Sequence, residues 1–163
     1  MLLLTFAARG HPVVRPRRLL RLLPWRLVVL VLGLFLLVAG LQQHGLAHVL
    51  ARLAGHGQSW PSLLRLAGTG AAGANVVDNL PAYLALEPVA ADSPERVVAL
   101  LIGVSLGPLI TIWASLATLL WRERCTVAGV TVSAWRFAGR GLILVPLLLV
   151  GATAALAAAS QPG

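Results

Sequence analysis

The amino-acid sequence predicts an all-α integral membrane protein, and three observations support this. First, 58% of the 163 residues are hydrophobic, and the mean hydropathy is +0.87. Second, 11% of the residues are charged, where a soluble domain carries roughly 25%. Third, the charges are clustered and leave long uncharged stretches between them. The net charge of +8 comes from Arg residues that flank these stretches, so we expect a lipid bilayer as the partner and no nucleic acid.

The first two predicted elements are a basic loop and a membrane span. Residues 9–26 contain six Arg and three Pro residues, which predicts a cytoplasmic loop instead of a long helix. Residues 27–41 carry no charge and predict a transmembrane helix, with Trp25 as an interfacial anchor.

Residues 42–57 predict an amphipathic helix that lies in the membrane interface. Its polar stripe repeats every four residues, while leucine and valine residues occupy another face. The stripe consists of His44, His48, Arg52 and His56. Two histidines at this spacing can bind a metal ion, but no carboxylate or cysteine accompanies them nearby. We therefore interpret the stripe as a hydrated face, and expect no metal ion and no cofactor.

The carboxyl-terminal elements are a broken span, a second basic loop and a last span. Residues 97–121 are uncharged, but Gly107 and Pro108 interrupt them and predict a broken transmembrane helix. Residues 122–140 hold four Arg residues, and residues 141–159 predict the last transmembrane helix.

Topology then constrains the region between the first and the broken span. The two basic loops hold ten of the 13 Arg residues, so we place both in the cytoplasm. Residues 42–96 must then begin and end outside the cell. We therefore predict a re-entrant hairpin over residues 61–90, with its turn near residues 75–79. The acidic loop that follows and the carboxyl terminus are then external.

The two interrupted segments hold the candidate site residues. Non-helical backbone at membrane depth must be buried in protein or line a watery cavity, and such breaks form substrate sites in transporters. The candidate substrate-binding residues are Asn75, Asn79, Ser105, Gly107, Thr111 and Ser115. A charge at mid-bilayer costs ~2.5–3.5 kcal/mol, so Asp78 is expected in a polar cavity, where loss of hydration favours its protonated form. The alternative is that these Gly and Pro residues only kink packed helices.

The two segments also carry a family resemblance. ANVVDNLPAYLALEPV (residues 74–89) and LIGVSLGPLITIWASLATLLWRER (residues 101–124) resemble the carboxyl-terminal half of arsenite/antimonite efflux permeases. These permeases belong to the ion-transporter superfamily, with dicarboxylate symporters and Na⁺/H⁺ antiporters. The resemblance covers roughly residues 22–156. It departs from the family pattern at Asp78 and Ser105, where the family usually has Asn, and at Ala114, where it usually has Gly.

The resemblance implies the second repeat of an inverted-repeat, elevator-type transporter. It assigns residues 42–57 as the arm helix, 61–90 as the hairpin and 97–121 as the broken helix. It further implies that the chain is a truncated or split transporter that exports arsenite or antimonite in exchange for protons, with Asp78 as the candidate proton carrier. The expected partner is a missing amino-terminal repeat or a second copy of the chain.

Two other interpretations stay open. The chain could be another permease of the superfamily, for a dicarboxylate or Na⁺, or a non-transporting remnant or membrane scaffold. No motif predicts an enzyme, and no catalytic residues are expected. The expected location is the inner membrane of a bacterium, with the basic loop of residues 9–26 in the cytoplasm.

Overall fold

The computed structural model describes residues 25–160, and all of their regular secondary structure is helical. The seven α-helices and one 3₁₀ turn are α1 (Trp25–Gln43), α2 (Leu46–Ala54), α3 (Trp60–Val77), α4 (Asn79–Ala90), α5 (Pro94–Leu106), the 3₁₀ turn (Gly107–Leu109), α6 (Leu116–Val127) and α7 (Ala134–Ala159). The basic loop predicted for residues 9–26 lies outside the described residues, apart from Trp25 and Arg26.

The chain divides into two units, residues 1–30 and residues 31–163. Of the first unit the structure describes the opening residues of α1, Trp25–Leu30. The packing and the sites described below belong to the second unit.

One described helix, α7, is long and apolar enough by itself to cross a membrane. Helices α1 and α2 together also meet that requirement, but they are bent by 90° where they join. Gly45 lies at this bend with a φ of 88°, a left-handed conformation that glycine adopts without steric cost. The amphipathic helix predicted for residues 42–57 is therefore shorter, because glycines at positions 45 and 55 border α2.

Helix α7 begins at Ala134, earlier than residue 141, where the last span was predicted to start. Ser133 caps the helix by accepting a hydrogen bond from the backbone N–H of Arg136 at 3.5 Å. Likewise, α6 continues through Arg122 and Arg124. Most of the second predicted basic loop is thus helical, because Arg is a good helix former and its charge marks a membrane boundary rather than a helix end.

Small residues bring the backbones of α3 and α5 into direct contact. Gly103 and Gly107 lie one turn apart on the α5 side and face Ala67 and Ala71 of α3. A Cβ atom on Gly103 would overlap the Ala67 backbone, and one on Gly107 would come within 2.7 Å of the Ala71 backbone. Small residues at four-residue spacing permit this close approach of helices.

Around this contact, alanine and leucine side chains form the core. One cluster joins α2, α3, α4 and α5, and includes Leu63, Leu66, Ala82 and Leu100. Helix α4 packs back against α3, since Gly73 of α3 lies next to Ala82 and Leu86 of α4. A second cluster joins α3 to α7.

Two arginines satisfy the carbonyl groups at the ends of these helices. Arg65 of α3 donates to Leu53 O at 2.7 Å and to Arg52 O at 2.6 Å, at the end of α2. Arg96 of α5 is 1% exposed and donates to the carbonyl oxygens that follow α2 and end α4. These carbonyls lie at or beyond the last turn of a helix and have no intrahelical partner, so the cationic donors tie the ends of α2 and α4 to α3 and α5.

We predict that Gly103→Ala destabilises the protein, because the new methyl group would overlap the backbone of α3, which cannot rotate away. Overpacking a core costs about 1–3 kcal/mol, and a backbone clash should reach the upper end of that range. Thermal unfolding of the detergent-solubilised protein measures the loss. Gly151→Ala is the control, because open space surrounds Gly151; equal melting temperatures for the two variants would contradict the prediction.

Candidate functional site

Asp78 forms the break between helices α3 and α4. Its φ of 76° and ψ of 155° place it in a backbone region that residues other than glycine rarely occupy, at a cost of order 1–3 kcal/mol. The side chain is 4% exposed and accepts a hydrogen bond from the backbone N–H of Leu80 at 3.3 Å. A strained, buried carboxyl group at a helix break is typical of a functional position.

The amino-terminal ends of two helices point at this carboxyl group. The backbone N–H of Leu80 in the first turn of α4 donates to it, and the N–H groups of Asn79 and of Leu116, which opens α6, lie close enough to favour its charged form. Helix amino termini carry partial positive charge and stabilise an anion. Burial of Asp78 acts in the opposite direction, because it removes the carboxylate from water.

The second break lies between α5 and α6, and Asn75 of α3 ties it to the first. The Asn75 side-chain amide donates to Ala71 O at 2.8 Å within α3 and to Gly107 O at 2.9 Å at the end of α5. Its Oδ1 atom accepts a 2.6 Å hydrogen bond from the Thr111 hydroxyl group. The bonds to Gly107 and from Thr111 therefore tie α3 to the second break, while both donors of Asn75 are used and one acceptor lone pair stays free.

The two breaks also exchange backbone hydrogen bonds. In a continuous helix the N–H of Asn79 would bond to the carbonyl of Asn75. Instead it donates to Ala114 O at 3.0 Å in the second break. The Asn75 carbonyl accepts a hydrogen bond from the indole N–H of Trp113 at 2.9 Å. Each break thus satisfies polar groups that the other leaves open, as buried backbone groups require.

The structure brings together most of the predicted site residues. Hydrogen bonds connect Asn75, Gly107 and Thr111 to one another, and Asn79 adjoins them through its backbone. The Asn79 side chain is half-buried, and no other described residue bonds to its carboxamide. Ser115 caps α6 by accepting from the N–H of Ala117 at 3.2 Å, which leaves its hydroxyl hydrogen available as a donor. Ser105, in contrast, is exposed on α5 and has no hydrogen bond to this group.

The predicted set did not include two contributors to the site, Trp113 and the backbone carbonyl of Ala114. One signal could have identified Trp113. An interrupted helix leaves carbonyl groups unpaired. A tryptophan near the break can bond one of them, because its indole N–H acts only as a donor. No sequence signal marks Ala114, because its contribution is made by the main chain.

Comparison with known proteins places the chain in a transporter context. The family model described as "CitMHS: Citrate transporter" matches residues 2–118, which include both the Asp78 break and the whole of the second break. No solved structure matches the chain.

Three curated proteins named "Arsenical pump membrane protein" are similar to the chain. The protein of Escherichia coli strain K12 is 33% identical over 96% of the chain, and that of Yersinia enterocolitica is 32% identical over 96% of it. A further Escherichia coli protein is 30% identical over 95%. The chain spans 39%, 39% and 38% of the lengths of these relatives, respectively.

We predict that Asn75→Ala destabilises the protein by about 3 kcal/mol, because it removes three hydrogen bonds worth about 1 kcal/mol each. Thermal unfolding measures this loss. Asn79→Ala removes the same chemical group from a residue whose carboxamide is unbonded, and should change the melting temperature little. If the two variants had the same melting temperature, Asn75 would not hold the two breaks in place.

Proposed function

The chain belongs to the citrate transporter family, within the ion-transporter superfamily, and on this premise we propose that it forms part of a transporter that exports arsenite or antimonite. Because the chain belongs to this family, it is a membrane protein of a transporter family. The substrate is proposed from two sources, namely the arsenical pump relatives and the chemistry of the two breaks.

The observation that carries the proposal is the buried carboxyl group of Asp78, which lies at the break between α3 and α4 and beside the break between α5 and α6. Undissociated arsenite, As(OH)₃, is neutral and carries three O–H donors. The Asp78 carboxylate can accept from such a donor, while the Asn79 carboxamide and the Ser115 hydroxyl group can bond the other oxygens. The free lone pair on Asn75 Oδ1 is a further acceptor. We propose Ser105 and Thr111 as outer contacts of the same site.

A carboxylate substrate is the second candidate, and the name of the matching family model favours it. The helix amino termini that converge on Asp78 could bind an anion. In this chain, however, Asp78 already places a negative charge there, and it would repel a second one. Transport of citrate with no response to arsenite would favour this candidate.

We further propose that Asp78 couples export to proton entry. Burial disfavours its charged form, whereas the N–H groups of two helix ends favour it. Held between these opposing influences, the carboxyl group can take up a proton as substrate leaves and lose it as substrate binds. Protonation turns one carboxylate oxygen into a donor and removes the charge that strengthens the bond from the arsenite hydroxyl group, which links the two events.

The proposed arrangement in the membrane is the second repeat of an elevator-type transporter in the bacterial inner membrane. Helices α3 and α4 would form the re-entrant hairpin, and α5 to α6 the broken span. The basic segment of residues 9–26 would face the cytoplasm, and the carboxyl terminus the exterior. The chain spans 39% of the length of the first of these relatives, and in the proposed arrangement a complementary repeat would complete the site.

We predict that the chain confers arsenite resistance on a sensitive bacterium when co-expressed with the amino-terminal half of an arsenical pump relative. The physical reason is that a site at a repeat interface needs both halves. Survival on arsenite and cellular arsenic content measure the effect. Rescue by the chain alone would indicate a homo-oligomer, and no rescue in either arrangement would leave the remnant or scaffold interpretation.

We predict that Asp78→Asn abolishes the pH dependence of arsenite export in the rescued cells. Asn tolerates the same backbone conformation and can still cap α4, but it cannot titrate. Arsenite uptake into everted vesicles from these cells, in which export runs inward, is followed over a range of external pH and measures the effect.

Glu87→Gln is the control for this variant, because it removes an exposed carboxylate of α4. It should leave the pH profile unchanged. If Asp78→Asn also kept the parental rate and pH profile, Asp78 would have no part in proton coupling.

A further inference from the structure

A cavity of about 400 Å³ lies beside the second break, between the start of α7, the aromatic residue Trp121 of α6 and the 3₁₀ turn, and none of the candidate substrate-binding residues lines it. One face of α7 forms its longest wall, through Ser133, Arg136, Phe137, Arg140 and Leu144. These residues repeat at three- and four-residue spacing, so they lie on one side of the helix.

The mouth of this cavity is positively charged. Arg136 and Arg140 are exposed, and within residues 25–160 neither guanidinium group has an ion pair. The nearest acidic residue in the sequence, Glu123, does not line the cavity. Two unpaired guanidinium groups one helical turn apart fit a phosphate group that both can bond.

Much of the remaining lining of the cavity is apolar. Leu109 and Leu144 line it together with the rings of Trp121 and Phe137, whose centres are 6.3 Å apart. Along α7 the exposed side chains beyond Leu144 are also apolar, beginning with Leu147. The cavity therefore lies between two arginine side chains and an apolar surface that hydrocarbon can cover.

We propose that this cavity binds an anionic phospholipid. The phosphodiester lies between Arg136 and Arg140, the Ser133 hydroxyl group bonds the polar headgroup, and one acyl chain runs over Leu144 along α7. A free phosphate ion would use the guanidinium groups but leave the apolar wall uncovered. Basic pockets between membrane helices bind anionic headgroups in this manner. The site is independent of the transported substrate.

The test uses the full chain in phosphatidylcholine vesicles that contain a phospholipid with brominated acyl chains. Bromine quenches nearby tryptophan, and the difference between the parent and Trp121→Phe isolates the signal of Trp121. We expect half-maximal quenching at a lower mole fraction of brominated phosphatidylglycerol than of brominated phosphatidylcholine. Arg136→Gln with Arg140→Gln should shift this mole fraction upward by roughly tenfold.

Arg122→Gln with Arg124→Gln is the matched control, because it removes the same charge from exposed residues that do not line the cavity. This control should keep the preference for phosphatidylglycerol. An equal shift in both double variants, or no preference in the parent protein, would overturn the proposal. Protection of the guanidinium pair by inorganic phosphate, with equal quenching by the two brominated phospholipids, would indicate a site for free anions only and would also overturn it.

Discussion

The close contact between the backbones of α3 and α5 is the constraint on which the rest of the second unit depends. It exists because Gly103 and Gly107 have no side chain where they meet Ala67 and Ala71. Such contact brings the end of α5 within reach of the Asn75 side chain, which bonds the Gly107 carbonyl. A larger residue on either helix would separate the two breaks, and with them the groups that we assign to the substrate site.

Two interrupted helices satisfy each other's polar groups once they are this close. Broken backbone is costly in a bilayer, because each unpaired N–H or carbonyl group loses its hydrogen bond to water. Here the indole of Trp113 and the carbonyl of Ala114 complete the hydrogen bonds around the first break. The strain at Asp78 is held in place by the same contacts. A transporter site can therefore be polar and rigid without being open to lipid.

Much of the site could be predicted from the sequence, because its residue types conflict with their surroundings. Asn75, Asp78 and Asn79 stand in an apolar stretch, and Gly107-Pro108 interrupts another. Element boundaries were less predictable. The arginines at the start of α7 were predicted to lie in a loop. The structure places them in the helix, because Ser133 caps its first turn and Arg has a high helix propensity. The role of Asn75 as a tie between the breaks was also missed, since composition does not show which hydrogen bonds are already made.

The sequence by itself determined that the protein is helical, belongs in a membrane and contains two interruptions, since apolar content, charge clustering and helix breakers are local properties. Only the tertiary structure decided which polar groups are engaged and which remain free. It uses the Asn75 amide for packing, leaves the Asn79 carboxamide unbonded and directs two helix ends at Asp78. The physical reason is that hydrogen bonding and burial depend on distances across the fold, and residues far apart in sequence set those distances.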